Sequence, residues 1–318
     1  MSGVRAIAGS VAALGLVAAV GAVHAEPKAG GLLAFSREGN VYVYDFTDDQ
    51  ERQLTSDGVP MGTKGVTYGC PTLTDWSVLV FLSVETDADG TPGASRWYMI
   101  DPAGGSARET LGEDDVPLGL GYCPDTRTLY TLHLPDKVGP GEDRFGATIA
   151  LRAEFEGRRW STRPTTWYGD VGLDNCRVHI PRSLHPTMVS MPGFPTDVSS
   201  AYGLYALATG DEIPLLTEEQ LGANTVVGID FAGADTIYAA VAAPVGEAPL
   251  TPGLYTFDPA GPTPTLIAQV REPKSLAVSN AQRYAAIGCM DGALWLVDLD
   301  TKQPRRLTTG EDPDFFPK

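Results

Sequence analysis

Short runs of alternating apolar and polar residues, separated by turns rich in Gly, Pro and Asp, recur along the chain from Gly31 to its end. Alternation with period two puts every second side chain on the same face, so the pattern predicts β-strands. The two ends carry the same unit. The segments FSREGNVYVYDFTDDQERQLTSDG and GCMDGALWLVDLDTKQPRRLTTGE superpose without gaps when Gly39 is set on Gly292, which also brings Asp45 onto Asp298, Arg52 onto Arg305, Leu54 onto Leu307 and Thr55 onto Thr308. Each contains a strand after a Gly-containing turn, a polar turn, and a second short strand ending in Leu-Thr.

The strand VYVYD at 41–45 recurs as WYMID (97–101), TIALR (148–152), LYALA (204–208), LYTFD (254–258) and LWLVD (294–298), at intervals of 56, 51, 56, 50 and 40 residues. Six copies of a unit built from short strands predict an all-β, six-bladed β-propeller of four-stranded antiparallel blades, because one such sheet cannot cover both its faces until neighbours stack on it. The chain starts at the second strand of a blade. Residues 312–317 read as the missing innermost strand, so the ring is expected to be closed by the C-terminal strand, which removes an open sheet edge.

These repeats resemble those of the TolB-like propellers of the cell envelope. The resemblance rests on LLAFSREGNVYVYDF with RQLTSDG in the first blade and AAIGCMDGALWLVDL with RRLTTGE in the last, and on the strand pattern alone in the middle blades. It implies the propeller only, since the blades are expected to begin at Gly31, where a TolB-type chain first carries an α/β domain.

Arg5, the uncharged stretch 6–23 and Val23-His24-Ala25 have the form of a secretory signal peptide cleaved after Ala25, giving a leader at 1–25 and a propeller at 26–318. A periplasmic or secreted location follows, with no stable membrane insertion of the mature chain. Cleavage removes one of the 23 Lys+Arg and none of the 40 Asp+Glu, leaving a formal charge of −18. Nucleic acid and anionic lipid would be repelled.

With strands a to d in each blade, the b-to-c and d-to-a connections emerge on one face and the a-to-b and c-to-d turns on the other. The c-to-d turns are tight, as at Pro102-Ala103-Gly104-Gly105, Gly210-Asp211 and 259–262, whereas the b-to-c connections lengthen in the middle blades, at 85–95, 134–146, 191–202 and 243–253. Long loops on a rigid scaffold are where binding resides. The d-to-a connections add carboxylates at Asp57, Glu113, Asp114, Asp115, Asp170, Glu218, Glu219, Glu272, Glu311 and Asp312, making this the expected binding face for another envelope or secreted protein.

Glu85, Asp87 and Asp89 alternate before Gly90 as the first ligands of a calcium loop do, so a Ca²⁺ site is a candidate, although Arg96 stands where the bidentate acid belongs. Polar residues of the inner strands, Asp174, Asn175 and Asp230, could instead hold a cation in the central channel, as in a propeller enzyme of the lactonase or glutaminyl-cyclase type. Other catalytic patterns are absent. His133, His179 and His185 lack metal-ligand spacing, and no G-x-S-x-G, Walker loop or C-x-x-C occurs, so no catalytic residue is nominated and a recognition scaffold is the expected function. Cys70, Cys123 and Cys176 recur every 53 residues at what reads as the same point of three blades, too far apart to bridge, and Cys289 ends a second strand, so free thiols are expected.

Overall fold

Both faces of the strand at 41–45 are covered: Val41 and Val43 are fully buried, and Tyr44 nearly so. The computed structural model describes residues 31–74, 78–113, 117–123, 128–133, 149–155, 159–167, 172–174, 177–181, 202–206, 212–214, 224–232, 236–243, 249–258, 261–279 and 283–316, and the expected leader lies outside them. Among the described residues all regular structure is β. The first strands are β1 (Leu32–Arg37), β2 (Asn40–Asp45) and β3 (Gln50–Gln53); then come β4 (Gly65–Leu73), β5 (Leu79–Thr86), β6 (Pro92–Ile100) and β7 (Arg108–Glu113). The middle holds β8 (Pro117–Cys123), β9 (Thr128–His133), β10 (Ile149–Phe155), β11 (Arg159–Trp167), β12 (Gly172–Asp174), β13 (Arg177–Pro181), β14 (Tyr202–Ala206) and β15 (Glu212–Pro214). The last are β16 (Thr225–Ala232), β17 (Thr236–Ala242), β18 (Gly253–Asp258), β19 (Gly261–Gln269), β20 (Pro273–Val278), β21 (Tyr284–Cys289), β22 (Ala293–Asp298), β23 (Gln303–Thr309) and β24 (Glu311–Phe316).

Successive sets of four form antiparallel sheets: β4 to β7, β8 to β11, β12 to β15, β16 to β19 and β20 to β23. The remaining sheet has the order β24-β1-β2-β3 and joins the two ends of the chain. Leu32 pairs with Phe316, Leu33 with Phe315 and Ala34 with Asp314, and the register shifts before Ser36 meets Glu311. At the shift Asp312 takes a left-handed φ of 50° ahead of Pro313, which bulges the strand.

The period of two sends alternate residues of this sheet to opposite neighbours. Leu33, Phe35, Tyr44 and Phe315 pack with Ala277, Ala286, Leu294 and Leu296 of the β20–β23 sheet. Ala34, Val41 and Val43 pack with Leu73, Leu79, Phe81 and Ile100 of the β4–β7 sheet. On its other side the β20–β23 sheet shares a core with β16–β19, through Leu254, Ala268, Val270, Ile287 and Val297. Each fully buried Phe or Leu in these layers contributes roughly 1.5–3 kcal/mol. Four sheets therefore stack in a continuous row around the joined ends of the chain.

The motif copies at 41–45, 97–101, 254–258 and 294–298 coincide with β2, β6, β18 and β22 to within a residue of their ends. The copies at 148–152 and 204–208 fall on β10 and β14, but those strands end at Phe155 and Ala206. Arg152 and Ala208 stand where the other copies carry an aspartate, and the residues that follow both strands lie outside the described residues.

Candidate functional site

Two kinds of connection leave the sheets. The turns after β2, β6 and β22 are fixed by the aspartate that closes the strand: Asp45 Oδ1 accepts the Thr47 N–H at 2.9 Å, Asp101 Oδ1 that of Ala103 at 2.8 Å, and Asp298 Oδ1 those of Asp300 and Thr301 at 3.0 and 2.9 Å. Aspartate favours such turns because its short carboxylate reaches the backbone two residues on. The Thr301 N–H is the main cause of a lowered Asp298 pKa. At Asp45 burial works the other way, but the Thr47 N–H and Arg52, 3.3 Å away, outweigh it and the pKa is again lowered. The repeat's signature aspartate is thus a turn cap.

The opposite connections differ from one sheet to the next. After β1 the chain reverses through Glu38 and Gly39, both at positive φ as a two-residue hairpin turn requires, and a Cβ on Gly39 would collide with the Val59 carbonyl. After β5 the turn spans 87–91, closed by Asp87 N–H to Thr91 O at 3.0 Å and Gly90 N–H to Asp87 O at 3.0 Å. The connections at 134–148 and 182–201 lie outside the described residues, as do residues 244–248 of the connection at 243–252.

The predicted carboxylates separate into three groups. Asp114, Asp115, Asp170, Glu218 and Glu219 lie outside the described residues, and Glu113 is the last residue of β7. Asp57 and Glu272 do stand in connections between sheets. Asp57 Oδ2 accepts the Tyr68 hydroxyl at 3.2 Å, and burial first, then the Asp57 charge, pushes Tyr68 up to about 12. Glu272 lies at a left-handed φ of 49°, 3.8 Å from Arg271. Glu311 and Asp312, by contrast, are the first two residues of β24 rather than loop residues, because Gly310 alone separates β23 from β24. Glu311 pairs with Lys274 of β20, and Asp312 Oδ2 accepts the Ser36 hydroxyl at 3.4 Å. Desolvation, reinforced by Glu311, raises the Asp312 pKa.

Glu85 is an exposed residue of β5, paired with Val66, so the loop expected from 85 is shorter than the sequence suggested. Asp89 Oδ1 caps its own turn through the Thr91 N–H at 3.1 Å. Among the described residues no three His, Cys, Asp or Glu side chains converge as a metal site. Asp230, read as a channel ligand, reaches sideways: its Oδ2 accepts the Val278 N–H of the next inner strand at 2.6 Å. Asp314 does the same for Leu73 at 2.7 Å. Asp174 ends β12, paired with Arg177, and Asn175 lies outside the described residues.

The cysteines do not share one position. Cys70 lies inside β4 at a bulge with φ 49° ahead of Pro71, matching Asp312-Pro313 of the adjacent inner strand, whereas Cys123 is the last residue of β8, paired with Thr128, and Cys176 is outside the described residues. Cys70 and Cys289 are free thiols. Burial, and then the charges of Asp312 and Glu311, push Cys70 up to about 12; burial, Asp291 and Glu272 do the same to Cys289. Both stay protonated and are poor nucleophiles.

No protein-family model and no curated protein matches the chain. Among solved structures, TolB from Acinetobacter baumannii superposes on 92% of this chain and 68% of its own, with a TM-score of 0.57 at 12% identity. The fold is a TolB-like β-propeller. A chain of the mitotic checkpoint complex matches the propeller over 84% of this chain and 87% of its own, with a TM-score of 0.52 at 13% identity. An oligogalacturonate lyase in complex with manganese covers 85% of this chain and 70% of its own, at a TM-score of 0.49 and 11% identity.

In this propeller the bonds from Asp230 and Asp314 to the neighbouring inner strand went unread in the sequence. Their signal is the Asp-Phe pair near the strand end, in GIDFA at 228–232 and DPDFF at 312–316. Also unread was Arg37, whose guanidinium lies 3.9 Å from the Tyr42 ring centroid and pairs with Glu51.

Proposed function

We propose that this chain is an exported six-bladed propeller, its ring closed by β24, which recognises another protein through the face formed by the b-to-c and d-to-a connections. The observation that carries this reading is the asymmetry of the two faces. On one face the turns after β2, β6 and β22 share an aspartate cap at the strand end; the other has connections of unequal length on the same rigid frame, two of them also capped by aspartate, at Asp89 and Asp291. The unequal face also presents Met61 and Met290, 81% and 69% exposed, and methionine adapts to varied apolar partners. Pairing of β24 with β1 supports the closed ring.

Site-specific photo-crosslinking in the native envelope tests this. A crosslinker at Met61, Thr91 or Met290 is expected to give a discrete adduct with one partner, and a crosslinker at Ala103 or Lys302 in the capped turns none. Adducts of equal yield from both faces would contradict the assignment. The N-terminus of the mature chain should be Glu26.

A further inference from the structure

The inner strands β24 and β4 carry the same bulge. From Glu311 to Asp314 the first takes three steps while its partner takes two, from Ser36 to Ala34; from Gly69 to Thr72 the second does the same against Leu82 to Val80. Asp312 stands in one bulge and Cys70 in the other, each followed by Pro and each at a left-handed φ, 50° and 49°, that residues other than Gly seldom adopt. In β4 this place is filled by a thiol that stays protonated. In β24 the same place holds a carboxyl.

The groups that face the Asp312 carboxyl come from four strands: Glu311 of β24 itself, Lys274 of β20, which is paired with Glu311, the neutral Cys70 of β4, and Ser36 of β1. Ser36 has one hydroxyl proton and two acceptors for it, the Glu311 carbonyl at 3.2 Å and Asp312 Oδ2 at 3.4 Å. The carbonyl is the closer. An ionised Asp312 therefore competes for a proton already placed, in largely desolvated surroundings and beside the charge of Glu311. A neutral carboxyl meets no such conflict. Its own O–H donates to Ser36 Oγ and Ser36 donates to the Glu311 carbonyl, so each member of the chain is satisfied. Lys274 and Ser36 favour the anion, but desolvation and Glu311 outweigh them. Asp312 lies two residues beyond Gly310, which alone links β23 to β24, so its protonation acts where the two ends of the chain meet.

We propose that Asp312 is a proton-operated latch on β24: the neutral carboxyl holds the strand against β1 through Ser36, and its ionisation loosens that seam. The direction with pH follows from the raised folded pKa. The unfolded value lies near 4, so the stabilisation is fully present below about pH 4 and is lost as pH rises through the folded pKa. The test compares the full mature chain with Asp312→Asn, which keeps the shape, cannot ionise and tolerates a left-handed φ. Between pH 4 and pH 8 the variant should gain at least about 2 °C in melting temperature relative to wild type. At pH 8 the amides of β24 should exchange with deuterium faster in wild type than in the variant, and at pH 4 at equal rates, with those of β18 alike in both. Glu311→Gln removes the neighbouring charge and releases Lys274 to Asp312, so the gain made by Asp312→Asn in that background should shrink. A difference between variant and wild type that is constant from pH 4 to pH 8, an undiminished gain beside Glu311→Gln, or an exchange difference spread evenly over β24 and β18 would overturn the latch.

Discussion

Asp298 shows how one side chain shapes this fold. Its carboxylate takes two backbone N–H groups of the turn that follows, with Arg283 4.0 Å away. These interactions favour the charged form, so the folded pKa lies below the unfolded one and the stabilisation is fully present above the unfolded value near pH 4. Asp298→Ala should therefore cost about 1 kcal/mol at neutral pH, the usual net worth of such a bond. The difference from wild type in urea unfolding should be constant from neutral pH to about pH 5 and shrink as pH falls through the folded pKa. A difference independent of pH down to acid would show that the carboxylate's charge plays no part. The same residue shows what a sequence reveals at this scale: Asp45, Asp101 and Asp298 stand out as a repeated letter because the turn they cap is only two residues away. Asp230 and Asp314 do not, since each acts on a strand that is remote in the chain, Val278 for Asp230 and Leu73 for Asp314.

Those remote bonds belong to the scale of the element. A strand packed face to face with its neighbours is held by apolar contact, which is tolerant of sliding; a carboxylate bound to one particular N–H of the adjacent inner strand fixes the offset between sheets. Leu73 is 1% exposed, so losing the Asp314 acceptor would leave a buried N–H unsatisfied, at a cost of about 1–3 kcal/mol. Asp314→Ala should lose that much in chemical denaturation, and Asp314→Asn, whose amide oxygen still accepts, should retain most of it. Equal loss in the two variants would assign the effect to packing. Strand identity was readable wherever apolar alternation was clean, as in β2, β18 and β22, but strand ends were not: β5 runs to Thr86 and β24 begins at Glu311, each taking in acids that read as loop. Backbone pairing extended those strands through polar residues, and alternation cannot register that. The cysteines misled for a related reason, because equal spacing of 53 ignores the bulge that places Cys70 inside its strand.

At the scale of the whole molecule the two ends of the chain meet in one sheet. β24 is the innermost strand of the sheet begun by β1, and it touches both neighbours: Phe315, 3% exposed, joins the core shared with the β20–β23 sheet, while Asp314 bonds to β4. This pairing was legible from the sequence because the first unit lacks a strand that DPDFF supplies; the proposed binding face rests on unequal loop lengths alone, since a ligand's chemistry depends on side chains brought together from different sheets. Truncation after Gly310 removes the strand, exposes the edge of β1 and uncovers the core beneath Phe315. Loss of the Phe315 ring alone is worth about 3–5 kcal/mol. Thermal unfolding of the chain ending at Gly310, compared with the full mature chain, is therefore the most direct measurement: a closed ring predicts a fall of many degrees or failure to fold, and an unchanged melting temperature would contradict it.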